Sequence, residues 1–439
     1  MPNLLLLLVQ IGVVLVSARL VGLLFRRIHQ PQVVGEMVAG ILLGPSLLGW
    51  AAPEISARLF PASSLGFLNS ISQIGLLIFM FLVGLELDPK LLRGKSHTAV
   101  VTSHASIVAP FFLGALLSLL LYPRLSDDSV TFTGFALFMG AAMSVTAFPV
   151  LARILTERGL TRTRVGAVAI ACAAVDDVTA WCILAGVVAV VRSGTGTHSL
   201  WITLAGSAAF VLVMLGLVRP VLARLEGAYH RHGKLTQDLL GGILLLGLAS
   251  AWVTEYLGIH ALFGAFLAGA VMPKGERFVH ALTEKLEDVT VVLLLPLFFA
   301  FTGLRTAFGL LEGAEMWGYA ALIILVAVAG KWGGSTLAAR FTGMSWREAG
   351  AVGVLMNTRG LMELVILNIG LDIGVISPAL FAMMVLMALV TTFMTSPLLE
   401  WIYPARMIRR DGVVTGEPQS HTEPQRGTER TAEGFSSAL

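Results

Sequence analysis

The sequence predicts an all-α polytopic membrane protein, with about thirteen transmembrane helices arranged as two inverted repeats. Three observations carry this. Charged residues make up 13% of the chain against 56% hydrophobic, where a soluble domain carries roughly 25% charged residues. Apolar runs recur at the ~20 residues that one crossing of a bilayer needs. Basic side chains gather in alternate loops, as they do on the cytoplasmic side of multi-span proteins.

Taken in order, the expected spans cover residues 3–25, 32–50, 66–87, 97–122, 130–156, 165–191, 199–222, 237–256, 259–273, 286–304, 316–340, 347–370 and 376–403. The first has no basic residues ahead of it and runs past ~20 residues, so it reads as a retained span and not a cleaved leader. The ninth is short, and the fifth and twelfth are interrupted by polar residues. Residues 1–408 thus form a transmembrane unit. From about Arg409 the chain turns to Gly, Pro, Ser, Thr, Glu and Gln, which cannot bury a core, so 409–439 reads as a disordered cytoplasmic tail.

Loop charge tests the count. Loops after odd spans hold Arg26 and Arg27; Lys90, Arg93 and Lys95; Arg158, Arg162 and Arg164; Arg224, Arg231 and Lys234; Lys274, Arg277 and Lys285; Arg340 and Arg347. Arg406, Arg409 and Arg410 follow the last span, while loops after even spans hold only Arg58, Arg124, Arg192 and Arg305. This alternation puts the N-terminus outside and the C-terminus in the cytoplasm, in a multi-pass protein of the cell membrane.

An internal echo supports repeats. Span two reads Gly35-x-x-x-Ala39-Gly40 and then Pro45; span nine reads Gly264-x-x-x-Ala268-Gly269 and then Pro273. Span three ends in Gly84-Leu85-Glu86 and span ten in Gly303-Leu304-Arg305. Small residues are common at membrane helix contacts, but both echoes give an offset of seven spans. An odd offset reverses orientation, so spans one to six and eight to thirteen form inverted repeats, with span seven as connector. Transporters built this way bind at the repeat interface near the midplane.

Asp176 and Asp177 are the only charges between Val165 and Val191. An ionised carboxylate at the bilayer centre costs at least ~2.5 kcal/mol on insertion scales, so two together imply something positive to bind. Neighbouring helical positions point ~100° apart, so one acid can face a cavity and the other a helix. Lys331 stands nine residues before Arg340 in span eleven, about 14 Å from the helix end and far for a lysine to snorkel. An internal carboxylate is the expected partner, with Asp176, Asp177 and Glu363 as candidates.

Span five contains Ser144-Val145-Thr146-Ala147-Phe148-Pro149 and span twelve contains Asn357-Thr358-Arg359-Gly360. Pro149 removes a backbone donor and crowds the preceding turn, and nearby hydroxyls can satisfy the freed groups. The two spans correspond under the seven-span offset, and matched broken helices point to a transport site. Arg359 and Glu363 share a helix face and can pair, in a structural or gating role.

Other features carry less. Glu36, Glu86 and Arg153 lie near span ends, His104 and His260 read as ordinary hydrogen-bonded histidines, and the Met- and Phe-rich stretch Phe381–Met394 reads as packing surface. Cys172 and Cys182 stand ten residues apart on one helix, ~15 Å along its axis and too far to bridge. There is no P-loop, nucleophile elbow, HExxH or GxGxxG, no potassium-filter run and no Cys/His metal pattern. No cofactor is expected, and a net charge of +3 gives no reason to expect a nucleic-acid partner.

The run Ser-Val-Thr-Ala-Phe-Pro-Val-Leu-Ala-Arg-Ile-Leu at 144–155 resembles the monovalent cation:proton antiporter superfamily. So do Ala-Val-Asp-Asp-Val-Thr-Ala-Trp at 174–181, Leu-Pro-Leu-Phe-Phe-Ala at 295–300 and Asn-Thr-Arg-Gly-Leu-Met-Glu-Leu at 357–364. The nearest branch is that of plant cation/proton exchangers and bacterial potassium-efflux antiporters, and the resemblance runs to about residue 405. It implies a moving core with two crossing, partly unwound helices around Thr146 and Thr358, a still dimerisation part interleaved with it, a homodimer, and elevator-like alternating access. Asp177 becomes the proton and cation carrier, holding Na⁺ or K⁺ transiently with Thr146, and Asp176 the partner of Lys331. The Gln-Asp pair of some potassium-efflux members is not matched, and the soluble nucleotide-binding domain many of them append is absent from these 439 residues. Regulation by such a domain is therefore not expected.

The expected function is secondary antiport of Na⁺ or K⁺ against H⁺ across the lipid bilayer, without enzymatic chemistry. The alternatives are a cation-coupled symporter of an organic anion on a similar inverted-repeat fold, and a channel or sensor.

Overall fold

The computed structural model describes residues 4–28, 30–86, 97–126, 130–161, 163–194, 200–232 and 235–404. The tail expected at 409–439, and the loop charges Lys90, Arg93, Lys95, Arg162, Lys234, Arg406, Arg409 and Arg410, lie outside the described residues. Among the described residues every regular element is helical.

The chain opens with α1 (Leu4–Arg27), α2 (Gln32–Leu43), two short helices α3 (Leu48–Ala51) and α4 (Pro53–Leu59), then α5 (Ala62–Glu86) and α6 (His97–Leu125). The fifth expected span is two helices, α7 (Phe132–Ser144) and α8 (Phe148–Glu157), followed by α9 (Arg164–Gly194). A π turn at Met214–Val218 joins α10 (Leu200–Val213) to α11 (Arg219–His232), and α12 (Gln237–Tyr256) and α13 (Ala261–Ala270) follow. Further π turns join α14 (Glu276–Val289) to α15 (Leu295–Leu304) and α16 (Gly313–Val328) to α17 (Gly334–Phe341). The last elements are α18 (Trp346–Met356), α19 (Leu361–Asp372) and α20 (Pro378–Ile402). Local chemistry sets several starts. Thr131, Thr236 and Ser377 cap α7, α12 and α20 through their side-chain oxygens, and Ser345 forms a capping box with Glu348 at α18.

Ten helical stretches are long and apolar enough to cross a bilayer, and the α18–α19 pair, bent by 44°, makes eleven. Helices α7 and α13 are apolar but short. Every expected span coincides with a helical segment, but thirteen crossings exceed what length and composition support among the described residues. Leu5, Leu8, Leu20 and Leu24 of α1, Leu212 of α10 and Leu245 of α12 are exposed, an apolar surface suited to acyl chains.

Packing pairs up as a two-fold exchange of the repeats requires. Helix α2 lies on α15, and α13 on α5. Gly40 of α2 abuts the Phe299–Ala300 backbone and Gly303 of α15, while Gly269 of α13 abuts the Phe81 and Leu85 backbone around Gly84 of α5. Gly35 meets α1 at Val21–Gly22, and Gly264 meets α12 at Ser250–Ala251. No side chain fits at these contacts, which is why both echo motifs are rich in glycine. The residue after each repeat's proline caps its neighbour: Ser46 Oγ donates to Thr306 O at 2.7 Å, and Lys274 Nζ to Gly84 O and Leu85 O at 2.9 and 2.7 Å.

Candidate ion-binding site

The site forms where two helices are interrupted. Between α7 and α8, residues 145–147 are unwound; between α18 and α19, Asn357–Gly360 are unwound. The breaks are tied together by the Ala147 amide, which donates to Thr358 O at 3.1 Å. Pro149 is expected to crowd the turn before it, and that turn, residues 145–147, is the unwound one. Pro149 lies in the first turn of α8, where its missing N–H is one that no helical carbonyl would have received.

Asp176 and Asp177 come from α9 and are 0% and 4% exposed. Asp176 is saturated. Its Oδ1 accepts from Ser103 Oγ at 2.8 Å, and its Oδ2 accepts from Ser106 Oγ at 2.5 Å, Thr146 Oγ1 at 3.0 Å and Lys331 Nζ at 3.2 Å. Asp177 is different. The Phe148 amide at the start of α8 donates to it, but its Oδ1 is buried with no hydrogen-bond partner. The expectation that Thr146 stands with Asp177 is corrected: its hydroxyl lies on Asp176, with a longer 3.4 Å approach to Met356 O.

Two buried cations brace the α7 end. Lys331 Nζ donates to Ser106 O at 2.9 Å and Ser144 O at 2.5 Å besides Asp176, and Ser144 Oγ donates to Ile107 O and Gly140 O. Arg359 donates from Nη1 to Ala142 O at 2.7 Å and from Nη2 to Met143 O at 2.5 Å. It also pairs with Glu363 Oε2 at 2.6 Å. A helix C-terminus carries roughly −0.5 elementary charge, so the last carbonyls of α7 are a suitable seat for both cations. On the other break, Asn357 Oδ1 and Thr358 Oγ1 are buried without partners, as is Glu363 Oε1.

The breaks, the acids, Lys331 and the Arg359–Glu363 pair thus meet in one place. Three features of it went unread in the sequence. Ser103 and Ser106 of α6 hold Asp176; their cue was a hydroxyl cluster, Thr102-Ser103-x-x-Ser106, within an apolar span. Thr392 of α20 accepts from the Arg359 amide at 3.1 Å and donates to Arg359 O at 2.7 Å. Lys331 sits in the π turn Ala329–Gly333; such turns often mark functional sites, and Gly330, Gly333 and Gly334 around it were the available signal.

Residues 14–401 match the family described as sodium/hydrogen exchanger, transmembrane. The chain is 47% identical over 404 residues to the Na(+)/H(+) antiporter NhaS4 of Synechocystis, covering 92% of this chain and 98% of that one. It is 43% identical to Cation/H(+) antiporter 17 of Arabidopsis thaliana (91% of this chain, 48% of that one). Identity to K(+)/H(+) antiporter 1 of Saccharomyces cerevisiae is 36% (92% and 47%). The chain spans about half the length of these plant and yeast relatives. Its fold is similar to that of the sodium proton antiporter MjNhaP1 of Methanocaldococcus jannaschii, with a TM-score of 0.63 at 17% identity over 92% of this chain and 99% of that one. From the match across nearly all of its membrane part, the chain belongs to the transmembrane sodium/hydrogen exchanger family.

Proposed function

We propose that the protein is a secondary active antiporter that exchanges Na⁺ or K⁺ for H⁺ by alternating access. The observation that carries this reading is the inequality of two adjacent buried acids: Asp176 has every oxygen engaged, while Asp177 keeps one free. A saturated acid is a structural counter-charge; an unsaturated one needs a proton or a cation. Asp177 binds either but not both, and this competition couples the two fluxes. The core crosses only when its charge is compensated, because a bare carboxylate in hydrocarbon is too costly. Asn357 Oδ1 and Thr358 Oγ1 are neutral oxygens suited to a weakly held alkali ion. Lys331 neutralises Asp176; if it also loses a proton during the cycle, transport is electrogenic.

The unit at 1–408 divides, on this reading, into a moving core of α6–α9 and α16–α20 and a scaffold of α1–α5 and α10–α15 that pairs in a homodimer. Two ion pairs cross between them at one end, Arg192–Glu255 at 3.1 Å and Arg305–Asp372 at 2.7 Å. With the N-terminus outside and the C-terminus cytoplasmic, that end faces outward in the cell membrane, where the two pairs tie core to scaffold. The names of the Synechocystis and yeast relatives support cation/proton exchange and differ on the ion.

The test is dissipation of a preset ΔpH in proteoliposomes on adding Na⁺ or K⁺. Collapse of ΔpH by either ion supports exchange. Current without proton movement would mean a channel, and dependence on an organic anion would mean a symporter.

A further inference from the structure

We infer that Trp181 is the outer barrier residue of the exchange path, closing Asp177 off from the outside by packing against two phenylalanines of the scaffold. The inference deepens the antiport reading and rests on it for the division into core and scaffold. Trp181 stands four residues after Asp177 on α9, one turn nearer the Arg192 end and on the same helix face. It is 3% exposed. Phe263 of α13 meets it edge-on with ring centroids 5.5 Å apart, and Phe266 stacks on it at 6.3 Å.

The face of α9 that carries both residues is unevenly covered. Toward the Arg164 end, Ala174 and Ile170 are half-buried and Ala167 is exposed. Toward the Arg192 end, Trp181, Leu184 and Val188 are all buried, the last two at 0%. Asp177 thus has a tightly packed apolar wall on one side and a looser one on the other. An apolar constriction excludes water, and with it any hydrated ion, which is how hydrophobic gates close.

The contact is also one that can part. Within the scaffold, α2 and α15, and α13 and α5, meet backbone to backbone at glycines, so those pairs cannot slide without losing close packing. Trp181 meets α13 ring on ring, and aromatic surfaces separate without unmaking a hydrogen bond. Arg192 stands eleven residues beyond Trp181, ~16 Å by the helical rise, and pairs with Glu255 at 3.1 Å. That ion pair ties core to scaffold at the surface, and the rings below it keep the path to Asp177 dry.

The test is thiol labelling of Asp177→Cys in a chain that also carries Cys172→Ala and Cys182→Ala. A membrane-impermeant methanethiosulfonate is applied to intact cells for the outside and to inverted vesicles for the inside. With Trp181 in place, labelling from outside is expected to be slow, since it waits for a minor outward-open state populated at roughly 0.1–10%. Trp181→Ala is expected to raise the outside rate at least about tenfold and to leave the inside rate unchanged, while Trp181→Phe, which keeps a ring, is expected to keep the outside rate slow. An outside rate unmoved by Trp181→Ala in the folded protein overturns the proposal, as does equal labelling from both sides with the tryptophan present. Should Trp181→Ala not fold, Phe266→Ala removes the stacked ring from the scaffold side and is read by the same measure. Labelling needs no transport, so failure of the antiport reading would appear separately, as wild-type vesicles that hold ΔpH when Na⁺ or K⁺ is added.

Discussion

The two unwound segments are counterparts in the repeats, yet their chemistry is unequal. At the end of α7, three successive carbonyls, Ala142, Met143 and Ser144, each receive a cationic donor from Arg359 or Lys331. At the end of α18, Met356 O receives one hydroxyl at 3.4 Å, and Asn357 Oδ1 and Thr358 Oγ1 receive nothing. A helix end worth roughly half a negative charge meets two cations, each also paired with an acid, in the first case, and only backbone amides and one long hydroxyl contact in the second. One break is a clamp, held by fixed cations. The other keeps oxygens in reserve, and on the proposed mechanism that is where a mobile cation joins Asp177.

The largest effect separates the two acids. Asp177→Asn is expected to abolish cation-driven ΔpH dissipation in proteoliposomes while leaving the protein folded, because it removes the exchangeable charge while the backbone bond from the Phe148 amide can still form to the amide oxygen. Full retained activity would defeat the carrier assignment. Next come the clamp residues. Lys331→Ala strands Asp176 among hydroxyls, and loss of one partner of a buried pair costs about 3–5 kcal/mol. A clear drop in melting temperature in detergent is expected, with partial recovery when Asp176→Asn is added. Additive effects of the two changes would show that the pair is not coupled. Smaller again is Ser106→Ala, which removes one hydrogen bond to a charged oxygen and is expected to cost about 1.5–3 kcal/mol. Its check is the same melting measurement, and no loss would mean that Lys331, Ser103 and Thr146 hold Asp176 without it.

What the sequence revealed, and what it hid, follows from the same asymmetry. Charges in apolar text are conspicuous because hydrocarbon penalises them, so Asp176, Asp177, Lys331, Arg359 and Glu363 all stood out. The broken spans were legible from Ser144-Val-Thr and Asn357-Thr-Arg-Gly. Partner choice was not. Thr146 was assigned to Asp177 but lies on Asp176, because a single-residue step turns a side chain ~100° and the helix rotation is set by packing. Pro149 drew attention to the right region but stands after the break, since a proline is as well suited to opening a helix as to interrupting one. The serines of α6 were hidden by distance: 73 and 70 residues separate them from Asp176. The count of thirteen rested on segments such as α7 and α13, whose polarity pattern marks helices but whose length does not decide whether each crosses alone.

The smallest expected effect is the sharpest test of the comparison. Asn357→Ala and Thr358→Val remove side-chain oxygens that make no hydrogen bond here. If the α18 break were a clamp like its counterpart, these changes would destabilise the fold. As a reserve for cation, they should leave the unfolding free energy within about 1 kcal/mol of wild type, read as a nearly unchanged melting temperature, since no intramolecular bond is lost. Cation affinity should suffer instead. Each lost oxygen is expected to raise the half-maximal Na⁺ or K⁺ concentration for ΔpH dissipation by roughly five- to tenfold, the equivalent of about 1–1.4 kcal/mol. Competition adds a second signature. If proton and cation contend for Asp177, weakening the cation alone moves the dependence on cation to higher concentration, and raising the pH restores the rate. A fall in maximal rate at every pH and cation concentration would instead make these oxygens part of the moving hinge, and the division into clamp and reserve would fail.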